Sequence, residues 1–240
     1  VMNNLLNKNC FISGATGGLG QSFAENLAKQ SCNLFLSSTN NKKLSKLADK
    51  TKELNSDIQV FYEAADLSNE EEIKKVSASA LNSFTSIDVL INTAGIFSQK
   101  KLEETTSEDF YKTLNINLFA PYYFSKIFSE NMKKNSWGRI VNIGSSSSYK
   151  GFKNSSIYCM AKHGLSGLSK ALDDELLDQG IRVFDIMPGS IKTPMGAKDK
   201  TQNYETFIEP DDIANFTIDI LEYDGNFRLS DIKIYRSKYE

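Results

Sequence analysis

Tyr158 and Lys162 are the residues of this chain whose types and spacing point most directly to chemistry. Four positions apart on a helix, two side chains stand one above the other on the same face. A phenol held beside an ammonium ionises more readily, because the positive charge favours the phenolate over the neutral form. An unperturbed tyrosine has a pKa of about 10, so the pairing would bring proton exchange towards neutrality. Ser145 stands thirteen residues before Tyr158, giving the pattern Ser145–(twelve residues)–Tyr158–Cys159–Met160–Ala161–Lys162. A solvated surface Tyr–Lys pair has the same spacing, so the surrounding sequence must decide between the two readings.

The apolar run Cys10-Phe11-Ile12 enters Ser13-Gly14-Ala15-Thr16-Gly17-Gly18-Leu19-Gly20, and a helical pattern of Phe23, Ala24, Leu27 and Ala28 follows. Strand, glycine turn and helix together form a context in which backbone N–H groups and a helix N-terminus receive a pyrophosphate. Glycines allow positive φ and remove the Cβ atoms that would hold a phosphate at a distance. The spacing is G-x-x-x-G-x-G rather than G-x-G-x-x-G, and a merely tight connection would use glycines too. With Tyr158 and Lys162 downstream, the turn reads as one half of a hydride-transfer site and the pair as the other.

Placing those residues together requires a particular set of elements. Apolar runs alternate with periodic segments, as in an α/β, Rossmann-like, doubly wound parallel sheet of seven strands with helices on both faces. Strands are expected near Asn9–Ser13, Asn33–Ser37, Gln59–Ala64, Val89–Asn92, Arg139–Ile143, Arg182–Met187 and Asp231–Tyr235. Helices are expected near Leu19–Lys29, Lys42–Leu54, Glu70–Phe84, Ser107–Lys134, Ser155–Asp178 and Pro210–Leu221. Right-handed connections would bring the glycine turn and the later motifs to the carboxyl ends of the strands. Thr105-Thr106-Ser107-Glu108 offers a capping-box start for the long fourth helix. Pro121 within it cannot donate to the carbonyl of Asn117, which predicts a kink and a freed carbonyl there.

A chain of 240 residues suffices for one domain with a substantial core, and residues 1–240 read as a single dinucleotide-binding oxidoreductase domain. Lys plus Arg total 28 and Asp plus Glu 30, a formal charge of −2 that argues against nucleic acid as a partner. No stretch approaches the roughly 18 apolar residues of a membrane span, and no secretory h-region opens the chain, so a soluble cytoplasmic protein is expected. Cys10, Cys32 and Cys159 are scattered without metal-ligand spacing, which suggests buried thiols and no metal. His163 is the sole histidine, which excludes a Ser–His–Asp hydrolase, and it is expected to be a packing residue.

The motifs in this order resemble the short-chain dehydrogenase/reductase family from about Asn9 to Ala214. The resemblance takes in Asp66-Leu67, Asn92-Thr93-Ala94-Gly95, Asn117, Ser145, Tyr158, Lys162 and Pro188-Gly189-Ser190-Ile191-Lys192-Thr193. It implies that Tyr158 is the general acid in carbonyl reduction and that Lys162 lowers its pKa and bonds the nicotinamide ribose. Ser145 would orient the substrate oxygen, with Ser146 the competitor should the fifth strand end one residue later. Asn117 would bind a water linked to the lysine.

The same resemblance implies a cofactor site built from Gly14, Thr16, Gly18, Leu19, Gly20, Asn92, Ala94, Gly95, Pro188, Gly189, Ile191 and Thr193, with Tyr158 and Lys162. Asp66 and Leu67 would edge the adenine. It also implies a homodimer or homotetramer. An acid ending the second strand would bond the ribose 2′-hydroxyl and repel a 2′-phosphate. Here Ser38 and Thr39 stand with Lys42 and Lys43 and no acid, which favours NADP and leaves NAD possible, since Gly17 replaces the basic residue of many NADP-using relatives.

Substrate choice is expected from Ile96–Lys101, Tyr149–Asn154 and Met195–Ile208, the last a short lid with Tyr204 and Phe207 as its main rings. Lys150 and Lys153 could attract an anionic handle. The pattern is similar to 3-oxoacyl-carrier-protein reductases, which implies a carrier-linked carbonyl substrate. The C-terminal Phe227-Arg228-Leu229-Ser230-Asp231 lacks their glycine-rich Asp-Gly-Gly segment. A dehydrogenase of a sugar, polyol or other small alcohol, a sugar-nucleotide epimerase and a non-catalytic dinucleotide sensor remain the alternatives.

Overall fold

The structure is a computed structural model that describes residues 4–198 and 202–237. The strands are β1 (Asn9–Ser13), β2 (Asn33–Ser38), β3 (Val60–Ala64), β4 (Val89–Asn92), β5 (Gly138–Ile143), β6 (Ile181–Pro188) and β7 (Asp231–Ile234). The helices are α1 (Gly18–Lys29), α2 (Asn41–Leu54), α3 (Glu70–Ser83), α4 (Ser107–Leu114), α5 (Ala120–Asn135), α6 (Ser156–Leu176) and α7 (Pro210–Leu221). All seven strands form one sheet in the order β3-β2-β1-β4-β5-β6-β7, and every pairing is parallel. The order reverses between β1 and β4, where a crevice opens beyond the carboxyl ends of the strands.

Strand residues alternate between two apolar layers because successive side chains point to opposite faces. Ile12, Leu34, Leu36, Val141 and Ile186 pack beneath α1, α2 and α7 through Phe23, Leu27, Leu44 and Ile218. Phe11, Phe35, Leu90, Ile140 and Val183 pack beneath α3, α5 and α6 through Ile73, Phe124, Phe128 and Leu176. Phe11 anchors the second layer, its ring 4.8 Å from Phe124, 5.0 Å from Phe128 and 5.6 Å from Phe35, centroid to centroid. Burial of such rings is the main term holding the helices to the sheet.

The expected helix over Ser107–Lys134 is broken in the structure. α4 starts as predicted at a capping box, with Thr106 Oγ1 accepting from Asp109 N and Asp109 accepting from Thr106 N, both at 3.1 Å. It then widens into a π-helical turn over Asn115–Phe119, where Ala120 N donates to Asn115 O. α5 restarts with Pro121 in its first turn. A proline there lacks only an N–H that has no intrahelical acceptor, so the π turn converts a helix-breaking residue into a helix-starting one. The predicted kink is therefore a local widening.

One rung of the sheet differs from the rest. Glu63, Ser37, Ser13, Asn92, Asn142, Asp185 and Asp231 are register neighbours across all seven strands, and every one is polar. They share the face of Phe11, two residues nearer the carboxyl ends, between that apolar layer and the crevice. At its centre Asn92 Nδ2 donates to Asn142 Oδ1 at 2.8 Å, and Asn142 Nδ2 donates to Ser169 Oγ on α6 at 2.9 Å.

Candidate active site

The carboxyl ends of the central strands open into a cleft of about 650 Å³. At its nucleotide end Gly14 has φ +67°, and a Cβ built there would lie 2.7 Å from the Ala94 backbone. A side chain is excluded twice, by handedness and by the closeness of β4 to the turn. Gly17 precedes α1 in an extended conformation with no side-chain cap, and Gly18, Leu19 and Gly20 line the cleft. First-turn N–H groups have no intrahelical partner, so this helix start offers donors and a positive dipole end to an anion.

Ser38 and Thr39 also line the cleft, with Thr16 between them and the glycine turn; its Oγ1 donates to Ser38 Oγ at 2.9 Å. β2 runs one residue beyond its expected end and brings Ser38 to the rim. Lys43 lines the same corner. Two hydroxyls, a lysine and no carboxylate ending β2 fit a ribose 2′-phosphate. Asp66 and Leu67, which follow the β3 end paired with Ser38, line the cleft beside them. The Asp66 carboxylate accepts from Ser68 N at 2.9 Å, and that bond holds its pKa below the ordinary carboxylate range.

At the other end Ser145, Tyr158 and Lys162 meet, brought from the loop after β5 and the first two turns of α6. β5 ends at Ile143, which leaves Ser145 as the N-cap of a short 3-10 turn over Ser146–Ser148, its Oγ accepting from Ser147 N at 3.1 Å. Ser145, not Ser146, is the serine whose side chain acts on the Tyr158 phenol, favouring its ionised form. Tyr158 also stands edge-on to Phe97, centroids 5.0 Å apart. Lys162 is 4% exposed, lies 5.8 Å from the Tyr158 ring centroid and donates to Ile143 O at 2.6 Å.

The electrostatics differ from the expectation that Lys162 lowers the Tyr158 pKa. Burial pushes the Tyr158 phenol above its ordinary value, and the Ser145 side chain only partly opposes it. Burial also lowers Lys162 to about 8, opposed by the carboxylate of Asp185. Desolvation penalises whichever form is charged, and Lys162 is not among the groups that shift Tyr158, its ammonium being bonded to the β5 carbonyl. The resting site holds a neutral phenol at pH 7, a proton donor rather than an acceptor.

Asn92 and Asn117 do not line the cleft. Asn92 lies in the polar rung, turned towards Asn142. Asn117 is fully buried in the π turn, and its Nδ2 donates at 3.1 Å to both Ile96 O and Thr113 O while Oδ1 accepts from Ile96 N at 3.3 Å. Gly95 sits between it and the lysine: a Cβ there would lie 2.9 Å from Asn117 Oδ1 and 3.9 Å from Lys162 Nζ. The expected water-binding role has, in this structure, a loop-fastening counterpart. His163 is exposed rather than packed, with Nδ1 2.8 Å from Cys159 O.

Ala94, Gly95, Pro188, Gly189, Ile191 and Thr193 all reach the cleft. Thr193 Oγ1 accepts from Gly196 N at 3.1 Å, which folds the chain after β6 back over the opening. Of the expected lid, Met195, Gly196, Gln202 and Phe207 line the cleft and Tyr204 packs on Phe207 from outside, centroids 5.3 Å apart. Asp199–Thr201 lie outside the described residues. Phe97 and Phe152 supply apolar wall, whereas Lys150 and Lys153 are exposed and do not line it. The sequence reading passed over Asp185, although a carboxylate inside Val183-Phe184-Asp185-Ile186-Met187 was itself a signal.

All three cysteines are free and buried, and no helix among the described residues is long and apolar enough to cross a membrane. The family model described as short chain dehydrogenase matches residues 8–204. Among curated proteins, the 3-oxoacyl-(acyl-carrier-protein) reductase FabG of Rickettsia felis is 32% identical over 223 residues, covering 89% of each chain. The D-beta-hydroxybutyrate dehydrogenase of Rhizobium meliloti is 31% identical, over 80% of this chain and 75% of its own. Among solved structures, the alcohol dehydrogenase of the archaeon Thermococcus sibiricus complexed with 5-hydroxy-NADP superposes with a TM-score of 0.87 at 26% identity, covering 97% of both chains.

Proposed function

The chain belongs to the short-chain dehydrogenase family, and on that premise we propose that it reduces a ketone to a secondary alcohol with NADPH, using Tyr158 as proton donor. The family makes it an NAD(P)-dependent oxidoreductase. The observation that carries the finer reading is one cleft lined at one end by the uncapped start of α1 and at the other by Ser145, Tyr158 and Lys162. When bound, the nicotinamide supplies the hydride. The first-turn N–H groups of α1 bind the pyrophosphate, while Thr16, Ser38, Thr39 and Lys43 hold the 2′-phosphate.

Ser145 and Tyr158 both donate to the substrate oxygen, so their bonds strengthen as negative charge develops there. Tyr158 then gives up its proton, and the Lys162 ammonium stabilises the phenolate left behind. Burial of the phenol matters in this direction, because it keeps the proton in place until a stronger base forms beside it. The apolar wall of Ile96, Phe97, Phe152 and Met195 favours an acyl chain over a sugar, and a 3-oxoacyl thioester is the substrate class we favour. Small ketones and keto-sugars are the alternative.

The test follows NADPH absorbance with an acetoacetyl thioester, a keto-sugar and a simple diketone. Oxidation by the thioester is the expected result, and Tyr158→Phe should lose about 100-fold or more in rate while keeping NADPH affinity within about three-fold. If NADPH binds but no carbonyl compound consumes it, the protein is a dinucleotide sensor instead.

A further inference from the structure

Asp185 is a buried ionisable group that the chemistry above leaves unused. It lies mid-strand in β6, 1% exposed, and neither carboxylate oxygen has a hydrogen bond of standard geometry among the described residues. Five buried side-chain atoms among the described residues lack such a partner, and four belong to the polar rung: Ser37 Oγ, Asn92 Oδ1 and both oxygens of Asp185. The fifth, Asp173 Oδ2, faces Arg228 Nε at 3.3 Å. A buried carboxylate without a well-formed hydrogen bond needs other groups to compensate its charge.

The groups facing Asp185 narrow the choice. Asp231, its register neighbour on β7, is a like charge. The α6 residues Lys162, Ser166 and Lys170 are the favourable ones. Lys170 is more than half exposed and already bound to Asp231 Oδ2 at 3.0 Å. Lys162 is buried, and its hydrogen bond goes to a neutral carbonyl, that of Ile143. One peptide unit connects the two deficits. Ile143 O holds Lys162 Nζ at 2.6 Å, while a Cβ built on Gly144 would lie 2.6 Å from Asp185 Oδ1 and 2.8 Å from Ser148 Oγ. Carboxylate and ammonium thus flank the Ile143–Gly144 peptide, and the missing side chain of Gly144 is what admits the carboxylate.

We propose that Asp185 is a positioning residue of the active centre, the counter-charge that keeps the Lys162 ammonium protonated beside Tyr158. Both titrations run in the direction this requires. Burial lowers Lys162 to about 8 with Asp185 opposing the fall, and burial raises Asp185 to about 6 with Ser166, Lys162 and Lys170 opposing the rise. Between those values both groups are charged and attract each other through a poorly solvated region. The consequence for catalysis rests on the reading of Lys162 given above; the pairing itself does not.

The experiment is an NMR titration of protein carrying ¹³Cε-labelled lysine, with the Lys162 signal assigned by its loss in Lys162→Met and Lys170 as internal control. In Asp185→Asn the Lys162 midpoint should fall by about one pH unit or more, and that of Lys170 should move less. Reciprocally, Lys162→Met should raise the Asp185 midpoint, read from ¹³Cγ-labelled aspartate, and this arm remains should Asp185→Asn not fold. An unmoved midpoint in either folded variant overturns the pairing. No substrate is used, so a failure of the reductase reading would show only in the NADPH assay and a failure of this one only in the titrations.

Discussion

Burial acts in opposite senses on the two groups that would share the proton. It raises the Tyr158 phenol and lowers the Lys162 ammonium, so each is held nearer its neutral form than in water. The ammonium is worth most to the reaction once the phenolate exists, because the attraction then operates in a site with little water. Lys162→Ala should therefore lower the rate of NADPH oxidation by about 100-fold or more and also weaken NADPH binding, measured by cofactor fluorescence. Normal affinity in that variant would show that Lys162 does not reach the ribose. At the far end of the cleft, Ser38→Asp should turn the preference from NADP towards NAD, since a carboxylate repels the 2′-phosphate and accepts from a 2′-hydroxyl. An unchanged ratio of kcat/KM values for the two cofactors would remove Ser38 from that role.

Elements carry these groups through a few local devices. The π turn over Asn115–Phe119 lets Pro121 open α5, and Asn117 within it fastens the loop after β4 by two hydrogen bonds to Ile96 and ties back to α4 by a third, to Thr113 O. β1 and α1 are joined by Gly14, whose left-handed backbone and contact with Ala94 set the angle at which the helix start enters the cleft. Gly14→Ala should cost about 1–2 kcal/mol from handedness alone, more once Ala94 is displaced, and should weaken NADPH binding together with thermal stability. A variant with unchanged melting temperature would mean the turn adapts without strain.

Across the whole molecule, the seven-strand polar rung lies between an aromatic layer and the catalytic crevice, and its cost appears in the pH dependence of stability. Asp185 binds its proton with a pKa of about 6 when folded, against about 3.9 when unfolded. The folded state therefore holds more protons over that interval. Asp185's contribution to stability is complete below about pH 4 and lost as pH rises to about 6, an amount of about 3 kcal/mol. The unfolding free energy of wild type minus that of Asp185→Asn should fall by that order across the interval in urea titrations. A flat difference would show that Asp185 titrates as an ordinary surface carboxylate.

The strands, their alternation with helices and the glycine turn were legible in the sequence because they depend on local periodicity and on where glycine tolerates positive φ. Ser145, Tyr158 and Lys162 were legible because a turn of helix and a strand end fix their neighbourhood. Tertiary structure decided what depends on other strands and on exclusion of water. It placed Asn92 in the sheet interior instead of at the cofactor, and made a helix start of Pro121. It reversed the expected direction of the Tyr158 shift, since burial depends on everything packed around the ring. It also set Asp185 against the Ile143–Gly144 peptide, and no local pattern reveals which peptide of a neighbouring strand end a mid-strand carboxylate will meet.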